Sequence, residues 1–177
     1  MTSVIFPIHN WVDQNCFLTV GKEMLGGKVP YRDIFEQKGP LLYAIHAVAV
    51  FISPKTFTGV YIIQIVFFTA YLWIIKKIAA LFTSERLSVY ASVITGIVTA
   101  VTYCYSRGDN AEEFCLPFIA YALYTMMKAF REDFGEAFSY KAMLVNGFFA
   151  GCIFWIKYSV LGFYIGFITG FFIISLT

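Results

Sequence analysis

Five apolar runs, at 57–75, 87–105, 114–130, 142–156 and 158–176, restrict what this chain can fold into. A hydrocarbon core about 30 Å thick takes about 20 apolar residues in helical form. The first two runs meet that length, the third is somewhat short, and the last two form a marginal pair on either side of Lys157. The surroundings agree. Hydrophobic residues make up 59% of the chain, charged residues only 14%, and mean hydropathy is +0.72. A soluble domain is about 25% charged. The expected fold is all-α, a polytopic transmembrane helical bundle forming one domain over 1–177.

The same numbers exclude other classes. A net charge of +2 without a basic stripe gives nucleic acid nothing to bind. No basic segment precedes an apolar one at the N-terminus, so no secretory signal is visible. The chain begins on an interfacial-looking MTSVIFPIHNW and stops inside an apolar run, and so reads as a piece of a longer polytopic protein. Cys16, Cys104, Cys115 and Cys152 lack metal-ligand spacing, and no His/Cys/carboxylate cluster suits zinc. Cys104 and Cys115 fall near the ends of adjacent helices, where a disulfide is conceivable.

One stretch stands apart from the apolar runs. Asp13 to Tyr43 holds four acidic side chains (Asp13, Glu23, Asp33, Glu36) and four basic ones (Lys22, Lys28, Arg32, Lys38). Phe17, Leu18, Val20, Met24 and Leu25 recur with roughly helical period, which predicts a short amphipathic helix over 14–25. Gly26-Gly27 ends it, and Val29-Pro30-Tyr31 is extended, because a residue before proline avoids the α region. Pro40 opens a second helix, 41–52, with proline in its favoured first turn. At about 21 Å this helix is too short to cross, so 13–53 reads as an external loop with juxtamembrane helices.

Basic residues in short loops set the orientation. Lys76, Lys77 and Arg86 share one connection; Lys128, Arg131 and Lys141 share another two spans later, on the same, cytoplasmic side. If the 41–52 helix stays on the surface, the opposite face gathers Asp13, Arg32, Asp33, Glu36, Lys38, Arg107, Asp109, Glu112, Glu113 and Lys157. If it crosses, that single site falls apart. Carboxylates beside lysine and arginine suit a reaction that needs a base and an anionic leaving group. The bland alternatives are a solvated loop for these charges and a snorkelling lysine for Lys157. His46 reads as a hydrogen-bonded packing residue. The abundant Tyr and Phe fit lipid-facing packing as well as a groove for a lipid chain.

Three pieces carry a family resemblance. The first is Asp13, Gly21-Lys22, Leu25, Gly27 and Pro30-Tyr31-Arg32-Asp33, then Glu36, Lys38-Gly39-Pro40-Leu41 and Tyr43. The second is Asn110-Ala111-Glu112-Glu113-Phe114, and the third the Lys157-Tyr158-Ser159 break. Together they resemble bacterial GT-C membrane glycosyltransferases, the family 39 and protein-mannosyltransferase-like enzymes related to the lipid A aminoarabinose transferase. The resemblance implies an inverting enzyme of the bacterial inner membrane, with its active face external. It would move a sugar from a polyprenyl-phosphate carrier to a glycan, lipid or protein hydroxyl. It further implies Asp13 as the catalytic carboxylate and Lys38, with Arg32, as the donor-phosphate contacts. Asp33, Glu112, Glu113, Lys157 and Tyr43 would line the cavity. A divalent metal is left open as a cofactor. Two departures stand out: no transmembrane run precedes Asp13, and Gly39-Pro40 replaces the pair of prolines common after the lysine. Both bear on whether the chain by itself is active.

Two rival readings remain, a transporter or flippase subunit for a lipid-linked sugar and an assembly subunit with a decayed site. A transporter concentrates its charges near the bilayer midplane on broken helices, whereas here they collect in loops.

Overall fold

The computed structural model describes residues 8–102, 108–131 and 139–175. Among them the regular elements are helical: α1 (Val12–Leu25), α2 (Pro40–Ile52), α3 (Thr58–Ala80), α4 (Glu85–Val101), α5 (Ala111–Arg131), α6 (Tyr140–Lys157) and α7 (Gly162–Ser175). A 3-10 turn, Tyr158–Leu161, joins the last two. The all-α expectation holds. Thr58–Ala80 and the run Tyr140–Gly170 are long and apolar enough to cross a membrane. Ile65, Val66 and Trp73 of α3, Ile94 and Ile97 of α4, and Phe148 and Phe154 of α6 turn outward and exposed, as lipid-facing side chains do.

Paired contacts give the order of the bundle. Ser92 Oγ donates to the Leu72 carbonyl at 2.8 Å, and Lys76 pairs with Glu85 at 2.9 Å, so α4 runs antiparallel to α3. Gln64 near the start of α3 donates to Glu113 near the start of α5 at 2.6 Å. At the other end, Arg131 lies over the Phe82 ring at 5.8 Å, so α3 and α5 run parallel. Asn146 Nδ2 donates to Thr125 Oγ1 at 3.2 Å, and the Phe118 and Phe149 rings stack at 4.8 Å, which makes α6 antiparallel to α5. One end of the bundle therefore collects the starts of α3 and α5 and the ends of α4 and α6. Lys76, Lys77, Arg86, Arg131 and Lys141 mark the other.

α1 and α2 cover the first of these ends. Gly39, just ahead of α2, donates its amide to the Ile156 carbonyl near the end of α6 at 3.0 Å. Near the other end of α2, Ala49 abuts Gly59 at the start of α3; a Cβ on Gly59 would stand 2.0 Å from the Ala49 oxygen. Both ends of α2 thus touch the same end of the bundle, and the helix lies across it rather than through it. Its inner row is Leu42, Tyr43, His46, Ala47 and Val50; its outer row, Val48, Phe51 and Ile52, is exposed. α1 rests on α2 through Gly21, where a Cβ would come within 2.6 Å of the His46 backbone. It ends where Gly27 adopts φ +89°, a conformation open to glycine.

One local reading changes. α5 starts at Ala111 rather than 114, because Asn110 and Glu113 form a reciprocal cap: the Glu113 amide donates to the Asn110 carbonyl at 3.0 Å, and Asn110 Nδ2 to Glu113 Oε1 at 3.1 Å. Pro117 consequently lies inside the helix, beyond its first turn. In keeping with the pair of runs read on either side of Lys157, the chain folds back there, where a φ of −156° breaks the helical path. Met143 and Ile168 line one cavity of about 300 Å³, yet a straight helix would hold them about 37 Å apart. Tyr164 of α7 donates its hydroxyl to the Phe118 carbonyl, on the α5 surface that also meets Phe149. Finally, Cys115 is a free, buried thiol, so it forms no disulfide. Cys104 and Arg107 lie outside the described residues.

Candidate functional site

The polar loop between α1 and α2 builds a clasp around one lysine. Pro30 to Ile34 turns back on itself: the Asp33 amide donates to the Val29 carbonyl at 2.9 Å, and the Val29 amide to Asp33 Oδ2 at 2.8 Å. Tyr31 sits at φ +68°, a strained conformation for a tyrosine, and its amide donates to the Ile34 carbonyl at 2.7 Å. That pose sends the Tyr31 hydroxyl to the Lys38 carbonyl. From the other side the Lys38 amide donates to the Tyr43 hydroxyl at 2.9 Å and to Glu36 Oε2 at 3.1 Å, while the Tyr43 hydroxyl donates to Glu36. Both backbone polar groups of Lys38 are thus held by side chains. Tyr31, Glu36 and Tyr43 of the sequence motif are its frame.

Charge within the clasp is consistent with this geometry. Burial pushes Glu36 upward, but the Tyr43 hydroxyl, the Gln37 and Lys38 amides and the Lys38 charge outweigh it and hold the carboxyl below its ordinary range. The Tyr43 hydroxyl is pushed up by burial and by Glu36, so it stays protonated and donates. Cys16 reports the neighbourhood of Asp13: burial, then Glu36 and then Asp13 raise its thiol, and Lys38 partly offsets them. Asp13, Glu36 and Lys38 therefore all lie within electrostatic reach of Cys16 in α1. Asp13 itself is exposed.

The second half of the site is carried by α5 and α6. Lys157 Nζ pairs with Glu112 Oε1. The Gly39–Ile156 hydrogen bond joins the residue after Lys38 to the residue before Lys157. Gly39 is required by space: a Cβ there would meet the Trp155 carbonyl oxygen at 1.9 Å.

Not every candidate joins this group in the same way. Arg32 makes a bidentate pair with its neighbour Asp33 (2.9 and 2.8 Å), and both are exposed on the turn. Arg32 lowers the Asp33 carboxyl, with the Val29 amide and the Lys28 charge adding to it. Glu113 commits one carboxylate oxygen to Asn110 and the other to Gln64. Tyr43 is buried behind Lys38 rather than lining open space. Lys38 alone of the three cations Arg32, Lys38 and Lys157 forms no ion pair among the described residues. Among the described residues, no three His, Cys, Asp or Glu side chains are grouped to hold a metal ion.

A buried pair behind the site escapes any reading by spacing. His46 Nδ1 lies 2.8 Å from the Leu42 carbonyl and Nε2 3.0 Å from Asp109 Oδ1, with both side chains fully buried. His46 is the hydrogen-bonded packing residue expected of it, but its partner is 63 positions away. Burial raises the Asp109 carboxyl, and His46 opposes the shift. Beside it, Gln14 Nε2 donates to the Gly108 carbonyl at 3.0 Å and to Asn110 Oδ1 at 3.3 Å, tying the α1 turn that carries Asp13 to the α5 turn that carries Glu112.

A family model described as dolichyl-phosphate-mannose-protein mannosyltransferase matches residues 37–177. The matched stretch includes Lys38, Tyr43, Glu112, Glu113 and Lys157, and begins after Asp13, Arg32 and Asp33. No curated protein and no solved structure matches the chain.

Proposed function

The chain belongs to the dolichyl-phosphate-mannose-protein mannosyltransferase family, and from that premise we propose that it transfers a sugar, with inversion, from a polyprenyl-phosphate carrier to an acceptor hydroxyl. Membership makes it a membrane glycosyltransferase that draws on a lipid-linked sugar. The proposal adds the residues, the stereochemistry, and the outer face of a bacterial inner membrane as the place of reaction.

Lys38 carries the reading: its backbone is clasped on both sides while its ammonium remains uncommitted to any described carboxylate. A fixed cation suits the phosphate of a departing carrier, because its charge grows as the sugar–oxygen bond breaks and a prepositioned cation need not reorganise. Asp13, exposed at the start of α1, accepts the proton of the incoming hydroxyl. The acceptor oxygen bonds to the anomeric carbon from the face opposite the phosphate, and the carrier leaves as its phosphate. The Glu112–Lys157 pair borders the sugar, with Asp33 and Glu113 in the lining and Tyr43 supporting Lys38 from behind. Arg32 is a second phosphate contact, reached by exchanging Asp33 for the donor.

Asp13→Asn in the full-length protein tests the assignment. Transfer is lost while membrane insertion and folding are kept; retained turnover removes Asp13 from the reaction.

A further inference from the structure

The segment Gly108-Asp109-Asn110 concentrates unfavourable features that the fold alone does not explain. Gly108 and Asp109 both adopt positive φ, +70° and +58°. Among the described residues, Asp109 Oδ2 and Gln14 Oε1 are buried without a hydrogen-bond partner. Such features destabilise a fold, and they cluster where geometry serves function. Among the described residues, the segment's hydrogen bonds reach three elements. Gln14 connects it to α1, His46 connects it to α2, and Asn110 joins it to Glu113, which also meets Gln64 of α3.

The proton in the His46–Asp109 contact follows from the partners. The Leu42 carbonyl only accepts, so Nδ1 carries a hydrogen and donates to it. Nε2 and Asp109 Oδ1 then share one proton between them, and the pair is neutral as a unit. An asparagine at 109 would offer an N–H to Nε2 and preserve the contact; an alanine would not.

We propose that the His46–Asp109 pair, with Gln14, is a positioning device that holds the α1 turn bearing Asp13 and the α5 turn bearing Glu112 in one register over α2. This inference rests on the proposed transferase site and names what sets its geometry. The Lys38 clasp is built from Tyr31, Glu36 and Tyr43, so the device acts on the placement of Asp13 and Glu112 and not on the hold on donor phosphate.

The test uses the full-length protein in membranes, with dolichyl-phosphate-mannose as donor and a Ser/Thr peptide or water as acceptor. Asp109→Ala and His46→Ala lower kcat about 10- to 100-fold, the scale of a catalytic group misplaced by about 1 Å. Donor KM stays within about twofold, since the lysine clasp is intact. Gln14→Ala, which leaves the buried pair whole, lowers kcat in the same sense, and Asp109→Asn restores it to near wild type. Hydrogen exchange gives a readout independent of turnover: amides in the first turns of α1 and α5 lose protection together in Asp109→Ala and regain it in Asp109→Asn. Wild-type kcat and protection in Asp109→Ala and Gln14→Ala, or a loss carried wholly by donor KM, overturn the inference. So does Asp109→Asn failing as badly as Asp109→Ala, which would make the carboxylate itself the requirement. Turnover retained by Asp13→Asn would instead sink the transferase site, and the exchange result would still stand.

Discussion

Gly39 and Ile156 are joined by a 3.0 Å hydrogen bond, from the amide of a surface loop to the carbonyl of a bundle helix. The bond joins the residue after the loop lysine, Lys38, to the residue before the helix lysine, Lys157, and no side chain larger than glycine fits between loop and helix. The pair of prolines expected at 39–40 by family resemblance would provide no such N–H. Here Gly39 donates, and Pro40 starts the helix.

Gly39→Ala should therefore lower stability more than a surface substitution does. Its backbone, at φ −73°, is ordinary, so the penalty is purely one of space. Forcing a Cβ into a closed contact typically costs about 1–3 kcal/mol. Thermal unfolding in detergent should show a drop of several degrees, with donor KM rising as the loop undocks. An unchanged melting temperature would mean that the loop is held elsewhere.

Tyr43→Phe removes the hydroxyl that accepts from Lys38 and donates to Glu36. Because the folded state holds Glu36 below its ordinary value of 4.5, its contribution to stability is present above that value and is lost as pH falls below it. Without the Tyr43 hydroxyl the folded value rises toward the ordinary one, so less stability is lost as pH falls and the loss ends at a higher pH. Stability measured between about pH 3 and pH 6 reads this directly; superimposable curves for the two proteins would exclude Glu36 as the titrating group.

Lys38→Ala should weaken the use of donor more than the use of acceptor. Its ammonium makes no ion pair among the described residues, so its removal leaves no carboxylate stranded, and stability should change little. A rise in donor KM at constant acceptor KM is the expected pattern. Equal effects on both substrates would count against a phosphate contact.

Glu112→Gln and Lys157→Met each break the α5–α6 ion pair and leave one partly buried charge alone. The exchanged double variant, Glu112→Lys with Lys157→Glu, should restore the melting temperature. It should not restore turnover, because cation and anion have traded places beside the donor. Recovery of turnover in the double variant would reduce the pair to a structural tie.

Much of this architecture could be read from residue order. The apolar runs implied helices, the length of 41–52 implied a helix lying across the bundle end, and the basic connections at 76–86 and 128–141 implied a shared end. Helix boundaries at polar turns were less legible. Asn110 and Glu113 have capping-box spacing, which would have started α5 at Ala111, but Glu112 and Glu113 look like loop charges when read by hydropathy alone. The site was legible only in part. Lys38, Glu36 and Tyr43 lie within a few residues of each other, and local spacing suggests their grouping. His46–Asp109, Gln14–Gly108 and Gly39–Ile156 join positions far apart in the chain, and no periodicity encodes which buried oxygen meets which donor. The resemblance placed Arg32 at the phosphate, whereas the turn gives it an immediate neighbour, Asp33, as a bidentate partner.

The most direct test of the whole account is cysteine accessibility in intact cells, with single cysteines at Gln37, Asn110 and Ser84 in a background lacking the four native cysteines. Gln37 and Asn110 lie at the end of the bundle covered by α1 and α2, and Ser84 lies at the other. The account predicts that an impermeant thiol reagent labels 37 and 110 from outside and leaves 84 protected. Labelling of 37 and 110 from opposite sides would mean that α2 crosses the membrane. Lys38 and Glu112 would then belong to no common site.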